Sequence, residues 1–206
     1  MSFTGQRKGR LIVFEGIDGT GKSTHIGHLR KYLEDRGVEV VQSFEPTRGP
    51  WGRMLRDSAV TGRLSVREEV DLFLKDRREH VETLIAPALA RGAWVLLDRY
   101  YLSMMDYQGA RGVDPASIRA ANEEFAPVPD AVVWLDIPVS AALERIGSRG
   151  ERDAFETEAG LPACRSVFAS VHEPWMLRVD ADAGQEEVAR RVREALREFL
   201  PENTVE

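Results

Sequence analysis

The sequence predicts a three-layer α/β fold, a five-stranded parallel sheet flanked by helices. Three observations carry that expectation. Short apolar runs alternate with longer amphipathic stretches, the pattern of parallel strands joined by helical crossovers. The first run leads into a glycine-rich turn and then into a helix-forming segment. No internal repeat, low-complexity tract or Pro/Ser-rich linker divides the 206 residues, so one domain with a full-sized core is expected across residues 1–206.

The elements follow in order. Residues 11–14 read as a buried strand. Residues 22–36 read as a helix, with Gly37 placed to end it. Residues 38–44 form a second strand. Residues 65–91 have helical periodicity, with Val70, Phe73, Leu74, Val81, Leu84 and Ile85 as core positions, and Pro87 is expected to bend or interrupt that helix near its end. Residues 94–97 form a third strand, 115–125 a helix and 131–135 a fourth strand. A helix begins over 140–146. Residues 176–179 form a fifth strand, and 186–200 close the chain as an amphipathic helix. Residues 147–162 are rich in Gly, Arg and Glu and poor in large apolar side chains, which suits a mobile lid.

Composition narrows the function. The chain is 43% hydrophobic and 30% charged with a formal net charge of -6, ordinary for a globular protein and unlike the basic footprint of a nucleic-acid binder. Its single cysteine, Cys164, rules out an intrachain disulfide and reads as a small helix side chain rather than a nucleophile. No apolar run approaches the ~20 residues that span a bilayer, and residues 1–10 have no apolar segment of the signal-peptide kind. A cytoplasmic enzyme without membrane contact is expected.

The strongest motif is Gly16-Ile17-Asp18-Gly19-Thr20-Gly21-Lys22-Ser23, followed by Thr24, which matches G-x-x-x-x-G-K-[ST] between a strand and a helix. The glycines let the backbone wrap phosphates with its N–H groups exposed. The following helix points its positive end at the anion. Lys22 reaches the β- and γ-phosphates, and Ser23 offers its hydroxyl to Mg²⁺. A nucleoside triphosphate, ATP in the kinase reading, is therefore the expected donor. No Asn-Lys-x-Asp segment of a signalling GTPase and no Ser-Gly-Gly-Gln segment of a transporter ATPase is present.

A second constellation is Asp98-Arg99-Tyr100 at the end of the third apolar run. An acid there sits beside the P-loop and can hold Mg²⁺, often through water. Arg99 has the fork geometry that matches phosphate oxygens. Asp136 also ends an apolar run and is the rival acid; Asp98 is preferred because Arg99, Tyr100 and Tyr107 cluster with it. Phe73 and Arg77, four apart, share a helix face, which suits stacking on a base and reading its edge; on periodicity alone Phe73 reads as a core aromatic. Arg78 reads as a solvated helix face.

These blocks together resemble the thymidylate kinase family over most of the chain. The carrying residues are Phe14 to Thr24, the Asp98-Arg99-Tyr100 block with Ser103 and Tyr107-Gln108-Gly109, and Phe73 with Asp76-Arg77 and His80. The resemblance implies a P-loop nucleoside-monophosphate-kinase-like fold. The implied reaction moves the γ-phosphoryl group of ATP to dTMP with Mg²⁺, a step toward dTTP. Phe73 would stack on thymine, Arg77 would bond to its edge, Arg99 would hold the acceptor phosphate, and Tyr107 would lie against the deoxyribose. Ser103 and Gln108 fall in the same substrate block, Asp18 would lie near the sugar and the metal, and Arg48, after Glu45-Pro46, would be a further phosphate ligand.

Arg149 and Arg152, in a segment with Asp153, Phe155 and Glu156, resemble the lid of the bacterial type of that family, which supplies catalytic arginines; Arg145 lies beside it. The P-loop here carries no arginine, so positive charge from a lid is the consistent complement. A homodimer packed through long helices, with residues 65–91 as the plausible face, is also implied. The chain departs from the family pattern at three places. Met104, Met105 and Asp106 stand where small or polar residues are usual, and an inward-pointing Asp106 would disfavour a dianionic acceptor. Ala154 stands where the lid commonly has a basic residue, for which Arg152 could substitute. Pro50 and Trp51 make the loop after the second strand stiffer and bulkier. A kinase for another nucleotide or nucleoside, and a P-loop sensor without transfer activity, are the alternative readings.

Overall fold

The computed structural model describes residues 8–147 and 161–201. Among them, five parallel strands run in the order β2-β3-β1-β4-β5. They are β1 (Leu11–Glu15), β2 (Val40–Phe44), β3 (Trp94–Asp98), β4 (Ala131–Asp136) and β5 (Met176–Asp180). The central β1 pairs with β3 and β4, with Phe14 opposite Asp98 and Val133. Every side chain of β1 and β4 is buried, as continuous apolar runs covered on both faces require.

Alternation along the strands divides the core into two layers. On one face Ile12, Phe14, Leu96, Val133 and Leu135 pack on Ile26, Leu29 and Leu33 of α1 (Lys22–Glu34) and on Val188 and Val192 of α9 (Gln185–Ala195). On the other face Leu11, Val13, Val95, Leu97 and Val132 pack on Val81, Ile85 and Leu89 and on Tyr101 and Leu102. Each such side chain, when fully buried, contributes about 1.5–3 kcal/mol. A third cluster, with Leu55, Leu72, Phe73, Met104 and Ile118, ties four helices together beside the sheet.

The remaining helices are α2 (Pro50–Thr61), α3 (Val66–His80), α4 (Ala86–Ala90), α5 (Tyr101–Gly109), α6 (Pro115–Glu123), α7 (Val139–Gly147) and α8 (Leu161–Ser170). Ser65 starts α3 with a reciprocal cap: its hydroxyl accepts from the Glu68 amide at 3.3 Å, and its own amide donates to the Glu68 carboxylate at 3.0 Å. The break expected at Pro87 takes a specific form. Val81–Ile85 widen to a π-helical turn, with Ala86 N–H donating to Val81 C=O, before the helix resumes as α4. Proline has no N–H to give the preceding turn, and the wider turn absorbs that loss without ending the helix.

Three expectations are corrected. The loop at Pro50 and Trp51 is the first turn of α2, because proline's fixed φ suits the first helical position, where its missing N–H is unneeded. Tyr101–Gly109 and Leu161–Ser170 are helices that apolar periodicity did not announce, and Gly147 and Leu161 are helix ends rather than parts of a lid. The first helix and second strand are shorter than expected, ending at Glu34 and starting at Val40. Cys164 is buried on α8. No helix among the described residues is long and apolar enough to cross a membrane.

Candidate functional site

The P-loop leaves β1 and wraps back onto α1. Gly16 has φ +139° and Gly19 has φ +83°. A Cβ on Gly16 would lie 2.5 Å from Leu135 C=O, and one on Gly19 2.7 Å from Ala142 C=O, so only glycine fits either place. The Thr20 hydroxyl braces the loop by donating to Ile17 C=O at 3.0 Å. Lys22 Nζ lies across the loop, donating to Gly16 C=O at 2.9 Å and Ile17 C=O at 3.3 Å, with Asp18 at 3.5 Å. Behind the loop His25 is buried, and burial, aided by the nearby charges of His28 and Arg145, lowers it to about 4. It therefore adds no charge to the site at neutral pH.

A cleft of about 410 Å³ runs from Asp18, Gly19 and the Gly21–Thr24 turn across to Gln42, Phe44, Pro46, Arg56, Asp98 and Arg99. That is the size of a small-molecule site. The Ser23 hydroxyl donates to Asp98 Oδ2 at 2.7 Å. Asp136, the rival acid, is instead occupied: Arg165 grips it through Nε at 2.6 Å and Nη2 at 3.0 Å, and Arg178 through Nη2 at 2.7 Å.

Arg99 stands at the junction. Its backbone sits at φ +71°, a left-handed conformation that costs a non-glycine residue about 1–3 kcal/mol. There its Nη2 donates to Asp18 Oδ1 at 2.6 Å and its Nη1 to Ser103 Oγ at 3.3 Å. Burial opposes ionisation of Asp18, but Arg99 and Lys22 outweigh it and hold the carboxyl below its usual range. Ser103 in turn donates to Glu15 Oε2 at 2.6 Å. Glu15 also accepts from the Tyr100 amide at 2.9 Å and the Ser103 amide at 3.3 Å. It thereby caps α5, which has no side-chain cap of its own. Burial drives Glu15 up to about 7, against the Ser103 hydrogen bond, Arg99, the Tyr100 amide and Lys22.

A second, narrower slot opens beside Arg99, lined by Phe73, Arg77, Tyr100, Ser103, Met104 and Tyr107. Its free volume of about 20 Å³ is that of a water rather than of a larger group. Met104, unbranched and flexible, is the adaptable wall. Arg77 is almost fully buried and grips Glu45 Oε2 through Nε and Nη2, each at 2.7 Å. Burial opposes ionisation of Glu45, but Arg77 and His80 outweigh it and keep its carboxyl below the usual range. His80 Nδ1 lies 2.9 Å from Glu45 Oε1, and Asp76 accepts from the Thr47 amide at 2.7 Å and the Thr47 hydroxyl at 2.6 Å. The Asp76, Arg77 and His80 face of α3 therefore clamps the loop after β2, which carries a cis Glu45–Pro46 bond.

The structure thus gathers Asp18, Gly19, Gly21 to Thr24, Asp98 and Arg99 around one cleft, with Gly16, Ile17 and Thr20 shaping the loop behind it, and Phe73, Arg77, Ser103 and Tyr107 around the adjoining slot. Two expected residues are not brought there. Gln108 is fully buried against Glu69 at 3.4 Å, on the α3 side of α5. Arg48 is exposed, its guanidinium 5.5 Å from the Phe44 ring centre, and lines neither cavity. Arg56 lines the cleft in its stead, donating to Pro46 C=O at 2.7 Å and Thr47 C=O. Asp106 is buried on α5 and does not line the slot. Arg78 is exposed over the Phe125 ring at 4.0 Å. Arg145 reaches the P-loop, 3.5 Å from Gly19 C=O. Arg149, Arg152 and Ala154 lie outside the described residues. Sequence reasoning missed Arg56, which carries no motif signal, and gave Glu15 no role beyond its place in the Phe14 to Thr24 block.

Comparison with known proteins points the same way. The family model described as thymidylate kinase matches residues 14–192. A thymidylate kinase of Akkermansia muciniphila is 87% identical over 202 residues, covering 98% of each chain. Thymidylate kinases of Xanthomonas campestris pv. campestris and Xanthomonas euvesicatoria pv. vesicatoria are 53% and 50% identical over 184 residues, covering 89% of this chain and 81% of theirs. With its P-loop, its Asp98-Arg99 junction and its Phe73/Arg77 slot set in that company, this chain belongs to the thymidylate kinase family.

Proposed function

We infer that this chain transfers the γ-phosphoryl group of ATP to dTMP, giving ADP and dTDP. The observation that carries the reading is the 2.6 Å contact between Asp18 of the donor loop and Arg99. One hydrogen bond ties the loop whose lysine and amides suit the triphosphate to the arginine suited to the acceptor phosphate, which supports a single cleft for both phosphates.

An oxygen of the dTMP phosphate attacks the γ-phosphorus, the bond from that phosphorus to the β–γ bridging oxygen breaks, and ADP leaves with the electron pair. A phosphate monoester has a second pKa of roughly 6, so the attacking oxygen is already ionised at neutral pH and needs no general base. Catalysis is positioning and charge neutralisation. Lys22 and the P-loop amides hold the donor phosphates, and Arg99 holds the acceptor phosphate. Phe73 stacks on the base, Arg77 reads its edge, and Tyr107 lies against the sugar. Arg149 and Arg152 bring the remaining positive charge from the lid.

Mg²⁺ fits the residues present. Ser23 Oγ and Asp98 Oδ2 are adjacent, and a hydroxyl with one or two carboxylates beside a triphosphate is the oxygen set this ion takes. Ser23, Asp98 and Asp18 would hold it, directly or through water, and it would neutralise charge on the β- and γ-phosphates. A homodimer, which family resemblance supports, and a cytoplasmic setting complete the reading.

Incubation with ATP, Mg²⁺ and dTMP, followed by separation of the nucleotides, should give equimolar ADP and dTDP. ADP without dTDP would mean hydrolysis, and would remove the transfer reading.

A further inference from the structure

Asn122 lies on α6, 45 residues from Arg77 in sequence, in a segment with no motif. It is fully buried. Its Nδ2 donates to Ile118 C=O at 2.7 Å and approaches Met104 Sδ at 3.6 Å, while its Oδ1 accepts from Arg77 Nη1. With the amide nitrogen anchored on a helix carbonyl, the amide oxygen has to face the arginine. A flipped amide would set donor against donor and acceptor against acceptor.

The hydrogens of Arg77 can then be assigned. Nε and Nη2 are bound side-on to Glu45. Nη1 is bound to Asn122 and lies 3.5 Å from Met104 Sδ. The fork has five N–H groups, and these contacts use four. The one left is the second hydrogen of Nη2, and Arg77 lines the slot with Phe73 and Met104.

We propose that Asn122 is a positioning residue for Arg77: by holding Nη1 it leaves the arginine a single donor toward the slot, which selects an acceptor base offering a carbonyl oxygen at that edge over one offering an amino group. The proposal rests on the assignment of Arg77 as the reader of the base edge. Glu45 fixes one side of the fork and Asn122 the other, so removing Asn122 lets the guanidinium tilt and pair with other groups.

The test measures kcat and KM for dTMP and dCMP, KM for ATP and the unfolding midpoint in four variants. Asn122→Leu and Asn122→Ala lack the acceptor; Asn122→Asp retains it; Arg77→Lys is the control for base reading. Whichever of the Leu and Ala variants folds should lower the dTMP-to-dCMP ratio of kcat/KM by about tenfold, mainly through KM for dTMP, with KM for ATP unchanged. Asn122→Asp should keep the ratio within about threefold of wild type. A folded Leu or Ala variant with the wild-type ratio overturns the proposal, as does an equal loss in the Asp variant. An unchanged ratio in Arg77→Lys removes the assignment of Arg77 itself, whereas a loss there with none in the Asn122 variants removes only the role of Asn122.

Discussion

Asp18 and Arg99, separated by 81 residues, meet at 2.6 Å. One belongs to the loop that wraps the donor phosphates; the other leaves the neighbouring strand in a left-handed turn. The pairing of Phe14 with Asp98 brings them together, since it ends β1 and β3 at the same height. An unfavourable φ is tolerated there because the Arg99 amide also donates to Phe14 C=O at 2.9 Å and its side chain is held by Asp18 and Ser103.

Arg99→Ala should therefore lower kcat/KM for dTMP by roughly a hundredfold or more, raising KM for dTMP and lowering kcat together. KM for ATP should change far less. Steady-state kinetics with each substrate varied in turn checks this, and unchanged kinetics would remove Arg99 from the acceptor site.

The two acids that end apolar strands should separate cleanly. Asp98 touches Ser23, whereas Asp136 is spent on Arg165 and Arg178. Asp98→Asn should raise the Mg²⁺ concentration needed for half-maximal rate by about tenfold. Asp136→Asn should leave that titration alone and lower the unfolding midpoint by a few degrees, about 1–3 kcal/mol of lost pairing. A shifted Mg²⁺ titration in the Asp136 variant would reverse the assignment.

Glu15 makes stability depend on pH. Its folded value of about 7 lies above the ordinary 4.5, so the folded chain keeps a proton that the unfolded chain releases. The contribution of this group is complete below pH about 4.5 and falls away as pH rises through about 7. Glu15→Gln, which cannot ionise, should flatten that part of the profile when unfolding midpoints are recorded from pH 5 to 8. An unaltered slope would show that Glu15 does not titrate in this window.

Arg149→Ala should lower kcat by on the order of a thousandfold while weakening ATP binding by less than about tenfold, as the proposed lid role of this arginine requires. Equal losses in kcat and ATP affinity would make Arg149 a simple electrostatic tether.

Much of this was legible in the sequence because the relevant signals are local. The P-loop is contiguous, and the central strands β1, β3 and β4 are short apolar runs whose burial bears that reading out. What escaped was non-local. Pro50 looked like loop chemistry because a proline reads the same way in a turn and at the first position of a helix. Gln108 fell in the right block, yet its helix turns it toward Glu69 rather than the slot. Glu15 and Asn122 gain their meaning from partners 88 and 45 residues away, respectively. An isolated acid or amide gives no hint of such a partner. Phe73, by contrast, fits both readings at once: it belongs to the third core cluster and lines the slot.

Whether dTMP is the acceptor is decided by kcat/KM measured with ATP and Mg²⁺ across dTMP, dUMP, dCMP, dGMP and thymidine. The highest value is expected for dTMP. A much higher value for any other acceptor would contradict it.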